Sequence, residues 1–267
     1  TELRKKNKVR NIRASLAIEG NTLSEDQITA IIDNKRVIGP AKDITEVENA
    51  IHVYDNLPNF DPFSKASYLE AHRQLMAGLM DTPGQFRTGS VGVIQGNRIA
   101  HLAPPGWNVD NLMTNLFGYL EHGADNLIIK SCVFHYEMEF IHPFLDGNGR
   151  MGRLWQTLIL MRANPVFEYL PIEQEIRTSQ DEYYHVLSQC DKEGLSTKFV
   201  EYMLNKITSS LTELVDTQRD NYTDMERLNY FLDQPGVSVF TRKDYLKMFP
   251  AISTATATRD LRKGVEA

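Results

Sequence analysis

Cysteine is scarce in this chain of 267 residues. Cys132 and Cys190 are too few for a disulfide framework, and neither lies in a C-x-x-C pair or a Cys/His cluster of zinc-binding spacing. Both read as buried packing residues. Long apolar runs are missing too: the stretch around Leu158 to Met161 falls far short of the roughly 18 to 20 residues that cross a bilayer. No positively charged leader with an apolar middle opens the sequence, so the expected location is cytoplasmic, with no membrane partner. Nor is there a surplus of positive charge. With 29 Lys and Arg against 35 Asp and Glu, a formal net charge of -6 argues against a surface built throughout for nucleic acid. No solenoid-period repeat or low-complexity tract appears. What remains, 42% hydrophobic and 24% charged, is the composition of a soluble globular protein with one large domain, or a large and a small one.

Most of the sequence reads as amphipathic helix. Residues 2–18 carry Leu3, Val9, Ile12, Leu16 and Ile18 among charges, and Gly20-Asn21 supplies a stop. Ser24 with Gln27, and Asp43 with Glu46, have the capping-box spacing and predict two further helices. Ser64 predicts a helix reaching Leu79, Asn108 and Asp125 head two more, and another runs from about Gly149 to Met161, stopped by Asn164-Pro165. The pattern then predicts helices over 173–190 and 197–215. Between Gly84 and Trp107 the texture changes to glycines, Pro104-Pro105 and β-branched residues around Gln95-Gly96-Asn97, a hairpin signature. The polar stretch 216–224 is the linker candidate, with a small unit at 225–267.

The densest chemistry is in His142-Pro143-Phe144-Leu145-Asp146-Gly147-Asn148-Gly149-Arg150-Met151-Gly152-Arg153. Glycine and asparagine tolerate backbone angles that turn successive N–H groups into one concavity at the positive end of a helix, which makes an anion cradle. Arg150 and Arg153, three apart on one helical face, place two guanidinium forks near a polyphosphate bound there. Asp146 is a hard oxygen ligand positioned for Mg²⁺. His142, able to accept a proton near neutral pH, is the candidate general base. Phe144 reads as packing that anchors the loop. Taken singly, each part has a plain structural use; the combination within twelve residues is specific.

This stretch resembles the signature of the Fic family, His-x-Phe-x-(Asp/Glu)-Gly-Asn-Gly-Arg-x-x-Arg, and matches it at every defined position. The resemblance implies an all-α fold, a Fic-type helical bundle with a β-hairpin flap; the small unit after it separately resembles a winged helix. The expected organisation is N-terminal helices at 1–60, a catalytic core at 61–215 with the flap at 84–107, a linker at 216–224 and a partial winged-helix-like domain at 225–267. It also implies a protein adenylyltransferase that takes ATP as co-substrate with Mg²⁺ on Asp146. His142 would deprotonate a Ser, Thr or Tyr hydroxyl of a target protein for attack on the α-phosphate. Nucleotide contacts would fall to Gly147, Asn148, Gly149, Arg150, Gly152 and Arg153. Tyr183 and Tyr184 lie on the following helix, where related enzymes place aromatics near adenine, and Asp191 stands where some relatives carry a ribose-contacting asparagine. Relatives that transfer phosphate carry lysine in place of Gly149 and lack Arg153; those that move phosphocholine are not separated by the signature.

A second resemblance is to the family's inhibitory motif, (Ser/Thr)-x-x-x-Glu-(Gly/Asn), at Ser15 to Gly20. It implies a brake in which Glu19 takes the Arg153 fork needed by the γ-phosphate; a solvated surface glutamate is the plain alternative, and positioning a water for AMP removal a further role. The Gly84-Gln85-Phe86-Arg87-Thr88 run and the hairpin resemble the flap that holds a target as an extended segment. Beyond residue 225 the pattern resembles a winged helix without its wing, with Ser253 to Lys263 as the recognition-type helix. Six Lys or Arg against three Asp or Glu from Arg242 to Ala267 is a mild excess, so contact with DNA and docking of protein both stay open there. The alternative function is a DNA-binding regulator using the core as a nucleotide sensor. A homo-oligomer also stays open.

Overall fold

The computed structural model describes residues 2–95, 98–220, 222–234 and 239–266. In chain order the first elements are α1 (Glu2–Ile18), α2 (Glu25–Ile32), α3 (Ala41–Asp55), α4 (Lys65–Leu75), β1 (Gly92–Gln95), β2 (Arg98–Leu102), α5 (Val109–His122) and α6 (Leu127–Ile141). They continue with α7 (Asn148–Ala163), α8 (Ile172–Thr178), α9 (Gln180–Glu193), α10 (Thr197–Asp220), α11 (Asp224–Leu232), α12 (Arg242–Met248) and α13 (Thr254–Glu266). Two compact units, Thr1–Ser210 and Leu211–Ala267, divide within α10. No helix among the described residues is long and apolar enough to cross a membrane.

The first unit is built on the α6–α7 pair. Both helices are buried on nearly every side, so they form its centre rather than an amphipathic wall. Gly152 permits their approach: a Cβ there would stand 2.4 Å from Met138 Cε and 2.8 Å from His135 Cδ2. Tyr68, Phe117, Phe134, Phe144 and Trp155 pack around them mostly edge to face, and Trp155 Nε1 donates to the carbonyl of Pro62. Cys132 and Cys190 are buried free thiols.

Helix α1 lays Val9, Ile12 and Leu16 into this core. A second row at intervals of four, Asn7, Asn11 and Ser15, is also buried. Asn7 and Asn11 donate to the carbonyls of Tyr169 and Leu170 at 2.5 and 3.0 Å. The helix stops at Gly20, whose φ of +92° suits glycine; the amides of Gly20 and Asn21 return to the carbonyls of Ala17 and Leu16.

Several sequence-based boundaries shift for visible reasons. Asp43 and Glu46 form no capping box: α3 starts at Ala41, Asp43 accepts from the amide and hydroxyl of Thr22, and Glu46 turns inward. Asn126, not Asp125, caps α6, while Asp125 accepts from the Tyr119 hydroxyl. Asn108 precedes α5 without a side-chain cap, and the helix expected to reach Leu79 ends at Leu75. The single helix expected over 173–190 breaks at Ser179, whose hydroxyl bonds the Glu175 carbonyl and the Tyr202 hydroxyl. The linker expected at 216–224 is helical through Asp220.

β1 and β2 pair antiparallel, with an irregularity between Val93 and Ile94. Turn residues 96 and 97 lie outside the described residues. In the second unit, α11, α12 and α13 enclose Leu228, Phe231, Tyr245, Phe249 and Ala257. The buried carboxylate of Asp260 accepts from Arg227 at 2.8 Å and from the Tyr245 hydroxyl at 3.2 Å.

Candidate active site

The loop between α6 and α7 is the signature itself, and its shape comes from a few side chains. His142 ends α6 in the left-handed region, φ 49° and ψ 62°, with its amide returning to Met138. Gly147, φ +84°, precedes α7; a Cβ there would lie 2.8 Å from Met76 Sδ. Asn148 closes the loop, its side chain accepting from the Phe144 amide and donating to the Phe144 carbonyl, each at 2.9 Å. The Asn148 side chain is thus committed to the loop, whereas a phosphate contact was expected. Phe144 lies flat on His72, with ring centroids 3.6 Å apart.

Two residues outside the signature fix this loop. His72 accepts the Gly84 N–H at Nδ1, which leaves Nε2 to donate to the Asp146 carbonyl at 3.0 Å. Burial holds the ring neutral, its pKa lowered to about 4. Arg87, 3% exposed, donates to the carbonyls of His142, Gly89, Pro104 and Ile141 at 2.6 to 3.0 Å. In the sequence alone, residues 86–88 read only as part of a flap. A buried arginine aimed at the open end of a helix and at both flanks of a hairpin gives no pattern in one sequence.

No side chain caps the N-terminus of α7, so its first amides are open to an anion. Glu19 approaches there. Its Oε1 lies 2.5 Å from where a Cβ on residue 149 would be, and it pairs with Arg153 at 2.8 Å. The Arg153 side chain is 1% exposed and also donates to the hydroxyl and carbonyl oxygens of Ser15, both at 3.0 Å. Burial, the largest single influence, would push the guanidinium down, but Glu19, Tyr183 and Glu139 together outweigh it and hold Arg153 above its ordinary range.

Arg150 departs from the expectation of two forks turned to one polyphosphate. It is held between Glu46 at 3.2 Å and Asp146 at 3.0 Å, and Glu46 also accepts from Asn21, just past the end of α1. Asp146 is half exposed, with Oδ1 on the Gly147 amide and on Arg150. Among the described residues no group of three or more His, Cys, Asp or Glu is placed to hold a metal. Gly152 faces the α6 packing seam rather than the nucleotide position expected of it.

Tyr183, expected near adenine, is instead buried, its ring against His135, Phe199 and Tyr202 and its hydroxyl 3.1 Å from His135 Nε2. Tyr184 beside it is half buried and within electrostatic reach of Glu19 and Arg153. Asp191 accepts from the Tyr136 hydroxyl.

A largely helical scaffold with an uncapped helix start between its two central helices is shared with proteins already known. The Fic/DOC family profile matches residues 62–160. The protein adenylyltransferase fic-1 of Caenorhabditis elegans is 29% identical over 218 residues, 77% of this chain and 41% of that protein. The protein adenylyltransferase Fic of Culex quinquefasciatus is 29% identical over 207 residues, 73% of this chain and 39% of that protein. A solved Fic family protein from Desulfovibrio desulfuricans G20 has a TM-score of 0.79 and 41% identity, covering 100% of this chain and 81% of that one. Fic-1 of C. elegans has a TM-score of 0.66 at 25% identity, covering 80% and 64%. The chain belongs to the Fic family, and spans less than half the length of those two curated relatives.

Proposed function

We propose that this protein transfers AMP from ATP to a hydroxyl of a target protein, and that Glu19 holds the reaction off. The observation that carries the reading is the Glu19 carboxylate lodged at the uncapped start of α7 and paired with buried Arg153. A carboxylate there occupies an anion position and repels a second anion.

In the released state His142 takes the proton of the target Ser, Thr or Tyr hydroxyl while the oxygen attacks the α-phosphorus, and pyrophosphate departs carrying the bond electrons. Arg87 contributes by fixing the His142 carbonyl, and hence the backbone on which the imidazole turns. The amides that open α7 meet the phosphates, and Arg153, freed of Glu19, meets the terminal one. Asp146 suits Mg²⁺ in the mode where one carboxylate and the nucleotide's own oxygens would hold the ion, because its side chain is half exposed and, among the described residues, no cluster of metal-binding side chains surrounds it. When bound, the ion would neutralise charge on the phosphates.

The hairpin is proposed as the flap on which an extended target segment adds as a strand. Leu102 at the end of β2 and Trp107 beyond it are exposed at 72% and 81%, apolar surface suited to such a partner. A docking role for residues 225–267 is favoured over DNA contact, since Arg242, Lys247 and Lys263 are engaged by Thr258, Asp244 and Asp224.

The test is incubation of the Glu19→Gly chain with lysate and Mg²⁺, using ATP labelled at either the α- or the γ-phosphate. Protein-bound label from the α position alone, lost on His142→Ala, supports AMP transfer. Label from the γ position, or label indifferent to His142, overturns it.

A further inference from the structure

Glu173 on α8 is a buried carboxylate with no part in the chemistry above. It is 1% exposed; Oε1 accepts from the Tyr54 hydroxyl and Oε2 is buried without a hydrogen-bond partner. Tyr54, from α3, is coupled to Ser15 as well, and Ser15 accepts from Arg153, which grips Glu19. One polar chain therefore runs from Glu173 through Tyr54 and Ser15 to Arg153 and Glu19.

We infer that Glu173 is a positioning residue for the brake, setting through its charge how strongly Arg153 holds Glu19. The inference rests on the autoinhibited reading of Glu19. Arg153 is buried, and Glu173 and Glu19 both act on it. An ionised Glu173 adds a second negative charge beside Arg153 that repels the Glu19 carboxylate and loosens it; a neutral one removes that repulsion and tightens the clamp.

The surroundings place this choice near neutrality. Burial raises the Glu173 carboxyl to about 7, against the pull of the Tyr54 hydrogen bond and of Arg153. Tyr54 from α3 and Arg153 from α7 are the titratable groups that act on it. Helix α1, packed along α8, turns uncharged Asn7 and Asn11 to the neighbouring backbone and Ser15 to Arg153. Tyr54 also lines a cavity of about 520 Å³ among α1, α3 and α7, whose charged lining residues are Lys5, Lys8, Asp55 and Glu168.

The experiment measures AMP incorporation from α-labelled ATP, from about pH 6 to about pH 8, a range that brackets the raised carboxyl. It compares the unaltered chain with Glu19→Gly, each with and without Glu173→Gln. Dividing the unaltered rate by the Glu19→Gly rate cancels any pH effect common to the two chains. That ratio is expected to rise about fivefold with pH, a modest coupling between sites, and to stay flat at its low-pH level once Glu173 is Gln. Tyr54→Phe, which removes the hydrogen bond to the carboxylate, is expected to move the midpoint of the rise to higher pH. A ratio whose pH course survives Glu173→Gln overturns the inference; should that variant not fold, an unmoved midpoint in Tyr54→Phe overturns it. No gain from Glu19→Gly at any pH overturns the brake itself, a separate outcome.

Discussion

Glu19 and Gly149 share one space: the carboxylate oxygen of the first lies 2.5 Å from where a side chain on the second would begin. Under the proposed function, glycine at 149 would serve the inhibited state, by admitting the carboxylate, and the open state, by admitting phosphate to the same amides. A methyl group there would also stand 2.9 Å from Arg153 Nη1. Gly149→Ala is expected to release Glu19 without releasing activity. In the Glu19→Gly background it should lower AMP incorporation at least about tenfold, a barrier change of about 1.4 kcal/mol, as read from initial rates. Rates equal to those of Glu19→Gly alone would show that the cradle lies elsewhere.

Arg87 supplies a sharper test of loop geometry. Lysine keeps the charge but not the planar fork, so it cannot satisfy four carbonyls at once. In the Glu19→Gly background, Arg87→Lys is expected to lower kcat about tenfold or more while KM for ATP changes little, because the defect lies under His142 rather than at the phosphates. Steady-state kinetics with varied ATP check this; a change confined to KM would contradict it.

Asn148→Ala leaves the buried amide and carbonyl of Phe144 without their partners. Unsatisfied buried groups cost about 1 to 3 kcal/mol each, so a loss of about 2 kcal/mol or more in unfolding free energy is expected, together with activity. Urea denaturation followed by circular dichroism measures it.

Much of the site is visible in sequence because its parts are contiguous. The twelve signature residues become one loop and one helix start, and Ser15 to Gly20 become a helix end whose glycine takes a positive φ. What the sequence conceals is long-range. Glu46 looked like a capping residue, but Arg150 and Asn21 draw it inward. Gly152 looked like part of a phosphate loop, yet the crowding of Met138 and His135 gives it a packing role. The Asn7, Asn11, Ser15 row was readable as polar residues at intervals of four, although only the neighbouring carbonyls and Arg153 explain its burial. Arg87 and His72 find their partners 55 and 74 residues away, beyond any local pattern.

Stability should fall on mild acidification. His72 and His135 are fully buried, and burial lowers their pKa values from 6.5 to about 4 and about 3. Unfolding lets both bind protons below 6.5, so their contribution is complete above that pH and declines as pH drops toward 4. Glu173 acts in the opposite sense: raised from 4.5 to about 7, it contributes below 4.5 and loses that contribution as pH rises through 7. Between about pH 5 and 6 the net is about one proton, a slope near 1.4 kcal/mol per pH unit. Chemical denaturation across that range is expected to show it, and Glu173→Gln to steepen it toward two protons.

The central claim is that Glu19 stands where the terminal phosphate of the nucleotide must go. Calorimetric titration of ATP and of AMP, each with Mg²⁺, into the unaltered chain and into Glu19→Gly tests this most directly. ATP is expected to bind at least about tenfold tighter once Glu19 is gone, a difference of about 1.4 kcal/mol, and AMP, which lacks the outer phosphates, to bind equally to both. Equal affinities for ATP in the two chains would contradict it.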